Sequence, residues 1–176
     1  MTIDHIGGIL FPHVLVLRLI GRLALPCFLF GIYEGTHRTR NHTRYVMRII
    51  GLGILSMPIT TYPINVLFLF ALFSLSIKYK GLFFPCLIAS YFTEYGVYGF
   101  LLGWAIVWAS EKNITEGTLM GLLLTPLSGN AFQLLSGLMI PVFTLKWRLA
   151  IPRGPKLFFY LYYPLHLLVI RLIARV

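Results

Sequence analysis

Long apolar runs alternate with short polar turns along this chain, and the alternation sets its plan. The runs cover residues 3–13, 14–33, 45–60, 64–77, 82–92, 96–110, 119–127, 132–145 and 157–173. Between them lie Thr61-Tyr62-Pro63, Lys78-Tyr79-Lys80-Gly81, Thr93-Glu94-Tyr95, a polar turn at 111–116 and a basic stretch at 146–156. An apolar helix needs about 20 residues to span a bilayer, fewer where it is broken or buried among neighbours. The pattern therefore predicts an all-α fold, a polytopic integral membrane helical bundle of roughly eight transmembrane segments, several of them short. The run at 3–13 is too short to span alone and reads as the outer half of a first helix, one whose start lies upstream or one that is itself a half-span. No internal repeat or low-complexity linker divides the chain, so residues 1–176 read as one domain.

Composition agrees with the pattern. The chain is 58% hydrophobic and 11% charged, against about 25% charged for ordinary soluble domains. That leaves too few polar side chains to cover a soluble core. The formal net charge of +10 does not point to nucleic acid, because the basic residues sit in short loops rather than along one exposed face. Eleven of the fifteen Lys and Arg fall at 38–48, 78–80, 112 and 146–156. Strict alternation puts all four regions on one side, and the positive-inside rule makes that side cytoplasmic. Cys27 and Cys86 lie inside apolar runs, without a CxxC pair, so neither a disulfide framework nor a metal site is expected. The N-terminus lacks the basic start of a signal peptide.

Charges inside apolar runs are the candidate chemistry, since each costs roughly 2.5–3.5 kcal/mol at membrane depth on insertion scales. Asp4 and His5 stand in the first run. His5 is either a general base, with an ordinary pKa suited to neutral pH, or a polar residue packed against a neighbouring helix. Arg18 and Arg22 are four apart and share a helical face. That face looks either to an anionic ligand or to an ion pair with Glu34 or Glu94. The stretch Glu34-Gly35-Thr36-His37-Arg38-Thr39-Arg40-Asn41, followed by Arg44 and Arg48, is a dense set of donors. Glu34 and Arg38 are spaced to pair, which leaves His37 and Arg40 free. The cluster suits a phosphorylated ligand such as coenzyme A, or else topology signalling and contact with anionic membrane lipids. Arg153 and Lys156 lie in a rigid basic turn, and His166 follows Pro164 in the last run, where a proline kink would free backbone carbonyls. Gly96, Gly99 and Gly103 allow close helix packing. His13, His42, the cysteines and the tryptophans read as structural. No Ser-His-Asp spacing, HExxH or Walker-type loop is present, which removes protease, zincin and ATPase readings.

Six pieces, in order and spanning nearly the whole chain, give it a resemblance to the TraX family of conjugative-plasmid and bacterial membrane proteins. They are IDHIGGILFP at 3–12, RLIGRLALPCFLF at 18–30, EGTHRTRNHTRY at 34–45, NVLFLFAL at 65–72, EYGVYGFLL at 94–102 and RGPKLFFYLYYPLHLLVI at 153–170. The resemblance implies a multi-pass acetyltransferase of the bacterial inner membrane that acetylates the N-terminus of pilin from acetyl-CoA. Through a wider clan of membrane acyltransferases it implies His5 as the catalytic residue, beside Asp4. Arg22, Glu34, His37, Arg40, Arg153 and His166 fall on family motif positions. Two departures stand out: the short first helix, and Ser56-Met57-Pro58 where an acidic residue is expected before the proline.

These readings combine into acyl transfer across the membrane plane. Arg38, Arg40, Arg44, Arg153 and Lys156, with Glu34 and His37, hold the coenzyme; Asp4, His5, Arg22 and His166 act at the reacting centre, with Arg22 facing the thioester oxyanion. The rivals are a transporter or flippase for a small anion or lipid, with the same charges lining a pathway, and a non-catalytic pilin assembly factor.

Overall fold

The computed structural model describes residues 2–9, 13–60, 64–144 and 156–173, apart from the side chains at 4, 5, 8, 9, 18 and 156–161. Each apolar run is largely helical over its described residues, and no strand occurs among them. In chain order the helices are α1 (Thr2–Ile9), α2 (Leu15–Arg22), α3 (Ala24–Arg38), α4 (His42–Ser56), α5 (Val66–Lys78), α6 (Phe83–Ser90), α7 (Gly96–Glu111), α8 (Ile114–Leu123), α9 (Leu134–Leu138), α10 (Ile140–Thr144) and α11 (Lys156–Ile173). Helices α2 and α3 stack end to end as Leu15–Arg38, the one helix among the described residues long and apolar enough to cross a membrane. Val66–Lys78, Ile114–Leu123 and Tyr162–Ile173 are shorter apolar helices. The all-α expectation thus holds, while spanning length belongs to a single helix.

Asparagines start several of these helices. Asn41 accepts from Arg44 N at 2.9 Å ahead of α4, and Asn113 accepts from Thr115 N at 2.9 Å ahead of α8. The Asn113 cap corrects the expected boundaries. The turn at 111–116 shrinks to a few residues and α8 begins at Ile114, because the cap satisfies orphan N–H groups that would otherwise need solvent. The run at 132–145 is divided between α9 and α10. Pro164 lies inside α11, which continues through it to Ile173.

Two chemically different ends result. At one, Asn65 Nδ2 donates to Gly53 O at 2.8 Å, Glu94 N donates to Ile64 O at 3.1 Å, and Val66 N donates to the Glu94 carboxylate at 3.2 Å. A carboxylate there complements the positive N-terminus of α5. The other end joins the C-termini of α3, α5 and α7 to the start of α4, and it collects Arg38, Arg40, Arg44, Lys78 and Lys112.

The packing has small and polar groups inside and large apolar groups outside. Ser56, Ser74, Ser76, Ser90 and Ser136 are completely buried, while Phe84, Ile88, Tyr91 and Leu123 are each more than two-thirds exposed. The Ser56, Ser76 and Ser90 hydroxyls close on carbonyls of their own helices, Ser56 on Leu52 O at 2.8 Å, Ser76 on Phe73 O at 2.8 Å and Ser90 on Leu87 O at 2.7 Å. Glycines set the closest crossings. A Cβ at Gly103 would stand 2.7 Å from the Phe73 ring, and one at Gly99 would stand 2.6 Å from Leu69, so α7 lies against α5 along its glycine face. Gly96 serves differently. Its φ of +54° lets the chain turn into α7, a backbone conformation that side chains resist.

Candidate functional site

Three of the predicted ligand-binding arginines meet in one pocket. It has a volume of about 510 Å³ and is lined by Gly35, Arg38, Thr39, Arg40, Asn41, Arg44, Tyr45 and Arg48. No acidic side chain is among the lining residues, so apart from the Glu34 carboxylate that pairs with Arg38 from beside the pocket the lining charge is of one sign and favours an anion. The start of α4 adds the positive end of its helix dipole. Gly35 shapes the wall: a Cβ there would lie 2.5 Å from the Tyr45 hydroxyl, so only glycine lets that ring close over the pocket.

The remaining residues of the cluster are placed otherwise. Glu34 pairs with Arg38 at 2.5 Å, as the spacing predicted, in an exposed arrangement that contributes little stability. His37 is not free. Its Nδ1–H donates to Tyr33 O at 2.9 Å, and its Nε2 faces the Glu111 carboxylate of α7 at 3.8 Å. The expectation that His37 is free is corrected accordingly: it does not line the arginine pocket, and its ring faces α7.

Beneath the pocket is a buried chain of hydrogen bonds that the sequence reading passed over. Thr36 Oγ1 donates to Ile32 O at 2.7 Å, which leaves the Ser74 hydroxyl to donate to Thr36 at 2.7 Å. His42 Nε2–H then donates to Ser74 Oγ at 3.0 Å. The order requires the neutral Nε2–H tautomer. His42 precedes the apolar run that starts at Tyr45, and burial lowers its pKa below the ordinary histidine range, with Lys78 acting in the same direction against the Ser74 hydrogen bond. The unfolded chain therefore takes up this proton at higher pH than the folded one. The His42 contribution to stability is present above about pH 6.5 and is lost as the pH falls below it. The melting temperature will drop on acidification from pH 7 to pH 5, and His42→Gln will flatten that part of the profile. An unchanged slope in the variant would remove His42 from this role. The signal was its place inside the basic motif, between Asn41 and Thr43.

Arg22 lies far from the arginine pocket. Sixteen residues of helix separate it from Arg38, about 24 Å at 1.5 Å per residue. Its Nε is shut off from solvent, and Ser136 Oγ donates to its carbonyl at 2.9 Å.

His166 is buried on α11. Its Nδ1–H donates to Tyr162 O at 2.7 Å, and its ring stacks on Tyr162 with centroids 5.0 Å apart. Helix α1 packs on α11, and Thr2 Oγ1 lies 2.6 Å from Tyr162 Oη. Between the two helices is a cavity of about 410 Å³, lined by apolar side chains together with Thr2, Tyr162 and His166. The fold thus brings the helix that bears Asp4 and His5 against the helix that bears His166. The side chains of Asp4, His5, Arg18 and Lys156 lie outside the described residues, as does the whole of Arg153.

A probable fimbrial assembly protein, FimC of serogroup H1, from Dichelobacter nodosus is 26% identical over 216 residues, spanning 95% of this chain and 88% of its own. An uncharacterized protein of Rickettsia prowazekii (strain Madrid E) is 57% identical over 30 residues, 17% of this chain and 12% of its own. No solved structure matches. The family model described as TraX protein matches residues 1–174, nearly every position that bears the arginine pocket, the α1–α11 cavity and the Arg22 joint, and the chain belongs to the TraX family.

Proposed function

We propose that this protein is a multi-pass acetyltransferase of the bacterial inner membrane that transfers an acetyl group from acetyl-CoA to the N-terminal amine of a pilin subunit. The observation that carries the reading is the arginine pocket at one end of the bundle, about 24 Å along the stacked α2 and α3 from Arg22, whose Nε is shut off from solvent. A ligand anchored by phosphates at one point and reacting that far away must be elongated, and coenzyme A thioesters are. Membership of the TraX family, and a relative named for fimbrial assembly, support pilin as the acceptor. The apolar exterior and the basic end support a bundle in lipid with Arg38–Arg48 facing the cytoplasm.

In this reading Arg38, Arg40, Arg44 and Arg48 bind the phosphates, joined by Arg153 and by Lys156, the first residue of α11. Acetyl-CoA supplies the activated acetyl group. The acceptor amine, with an ordinary pKa near 7.7–8.0, must lose a proton before it attacks. His5 takes that proton with Asp4 orienting it, and His166 faces the same α1–α11 cavity. The guanidinium of Arg22 stabilises the negative charge that develops on the carbonyl oxygen; as the new C–N bond is kept the C–S bond breaks, and the coenzyme A thiolate leaves and takes the proton held by His5.

The test is co-expression with a pilin subunit and intact-mass analysis of the subunit. Wild-type membranes will yield N-terminally acetylated pilin. His5→Ala will lower the rate about 10²–10⁴-fold, the usual contribution of a positioned acid or base, and His166→Ala will lower it as well. Full acetylation by His5→Ala would remove His5 from the scheme. Pilin that co-purifies with the protein but is never acetylated would favour an assembly role instead.

A further inference from the structure

In an α-helix the carbonyl of residue i accepts from the N–H of residue i+4. For Arg22 that donor would be residue 26, which is Pro26 and has no N–H. Arg22 is also the last residue of α2, and the helix resumes at Ala24. Its carbonyl is thus denied its helical donor inside a buried bundle, where leaving it unmade is costly. The donor comes from far along the chain. Ser136 Oγ, completely buried on α9, donates to Arg22 O at 2.9 Å across 114 residues.

Ser136 is itself held. Its Oγ lies 2.9 Å from the side-chain amide of Gln133, and the Gln133 backbone carbonyl accepts from Tyr98 Oη at 3.4 Å. A hydroxyl has one proton and two lone pairs. With the proton given to Arg22 O, the Gln133 amide completes the set by presenting its NH₂ to Ser136, an orientation reached by an amide flip. Tyr98, Gln133 and Ser136 then form one buried network that ends on the Arg22 backbone.

We infer that Ser136 is a positioning residue for Arg22, supplying the hydrogen bond that Pro26 removes and so fixing the height and rotation of the α2–α3 joint. The consequence for catalysis rests on the acetyltransferase reading above. A guanidinium that acts on developing charge depends on small displacements, so its misplacement lowers kcat more than it weakens binding of the acetyl donor at the distant pocket.

The experiment is a double-mutant cycle with Ser136→Ala and Pro26→Ala, read by acetyl transfer and by melting in detergent. Pro26→Ala restores an N–H at position 26 that can bond Arg22 O and make Ser136 redundant. Ser136→Ala alone will lower kcat about tenfold with KM for acetyl-CoA unchanged. In the Pro26→Ala background the same change will cost less than about twofold, and the melting shifts will be non-additive in the same sense. An equal cost in both backgrounds, or a rise in KM with kcat intact, overturns the inference. Where wild type transfers no acetyl group, the acetyltransferase reading fails and the melting cycle decides alone: additive shifts overturn the Ser136–Arg22 coupling, and non-additive shifts support it.

Discussion

Replacing Arg40 and Arg44 together by alanine will abolish the stabilisation of the purified protein by acetyl-CoA. A ligand at 100 times its dissociation constant raises the stability of the wild type by about 2.7 kcal/mol. Hydrogen bonds to charged groups are worth about 1.5–3 kcal/mol each, so losing two weakens binding by roughly 10²–10⁴-fold. The melting shift at fixed ligand then disappears. The stability of the unliganded protein will hold or rise, because both side chains are exposed and both belong to a crowded set of like charges in one pocket. Calorimetric titration of both proteins with coenzyme A and acetyl-CoA makes the measurement. A double variant that binds with wild-type affinity would place the coenzyme elsewhere and leave the pocket to membrane lipid phosphates.

Gly117→Ala will destabilise the bundle by about 3 kcal/mol, and Gly117→Val will prevent accumulation of folded protein. A Cβ at Gly117 would stand 2.5 Å from the Ala109 Cβ and 2.6 Å from both Ala105 O and Ala109 N. Two of those three atoms are backbone of α7, so no rotamer change relieves the clash and the helices must separate. Overpacking of this kind typically costs about 1–3 kcal/mol, sometimes more. The neighbouring crossing is close but less tight, with a Cβ at Gly137 meeting Gly121 C and Leu122 N at 3.0 Å. Gly51→Ala is the matched control. Nothing lies within 4 Å of its Cβ position, and alanine in a helix interior gains about 0.5–1 kcal/mol over glycine. Melting temperatures that move the same way in both variants would refute the close α7–α8 crossing.

Much of the functional outline is local and was therefore legible in the residues themselves. Charged residues are rare in this chain, so Arg38, Arg40, Arg44 and Arg48 stood out as one cluster; spaced along a helix end and the start of the next, they have nowhere to go but one pocket. Glu34 and Arg38 are four apart, and the helix alone makes them neighbours. Gly99 and Gly103 announced a close crossing because small residues at that spacing expose helix backbone.

Other assignments needed partners far along the chain. His37 looked free because its acidic neighbour, Glu111, is on α7 and no local spacing points to it. His42 read as inert, yet Ser74 of α5 makes it part of a buried chain of donors. Arg22 was recognisable as a costly inward charge, but not the means that hold it.

By itself, then, the sequence determined the helical class, the family, the basic cluster and the residues too expensive to bury without use. Those follow from period, composition and transfer cost, which each residue carries with it. Tertiary structure alone decided that α1 meets α11, that His37 turns to α7, and that Ser136 replaces the donor missing at Pro26. Such pairings depend on which helix faces lie together. Between apolar helices that choice is made by close packing and by a few buried hydrogen bonds, neither of which leaves a periodic trace in the chain.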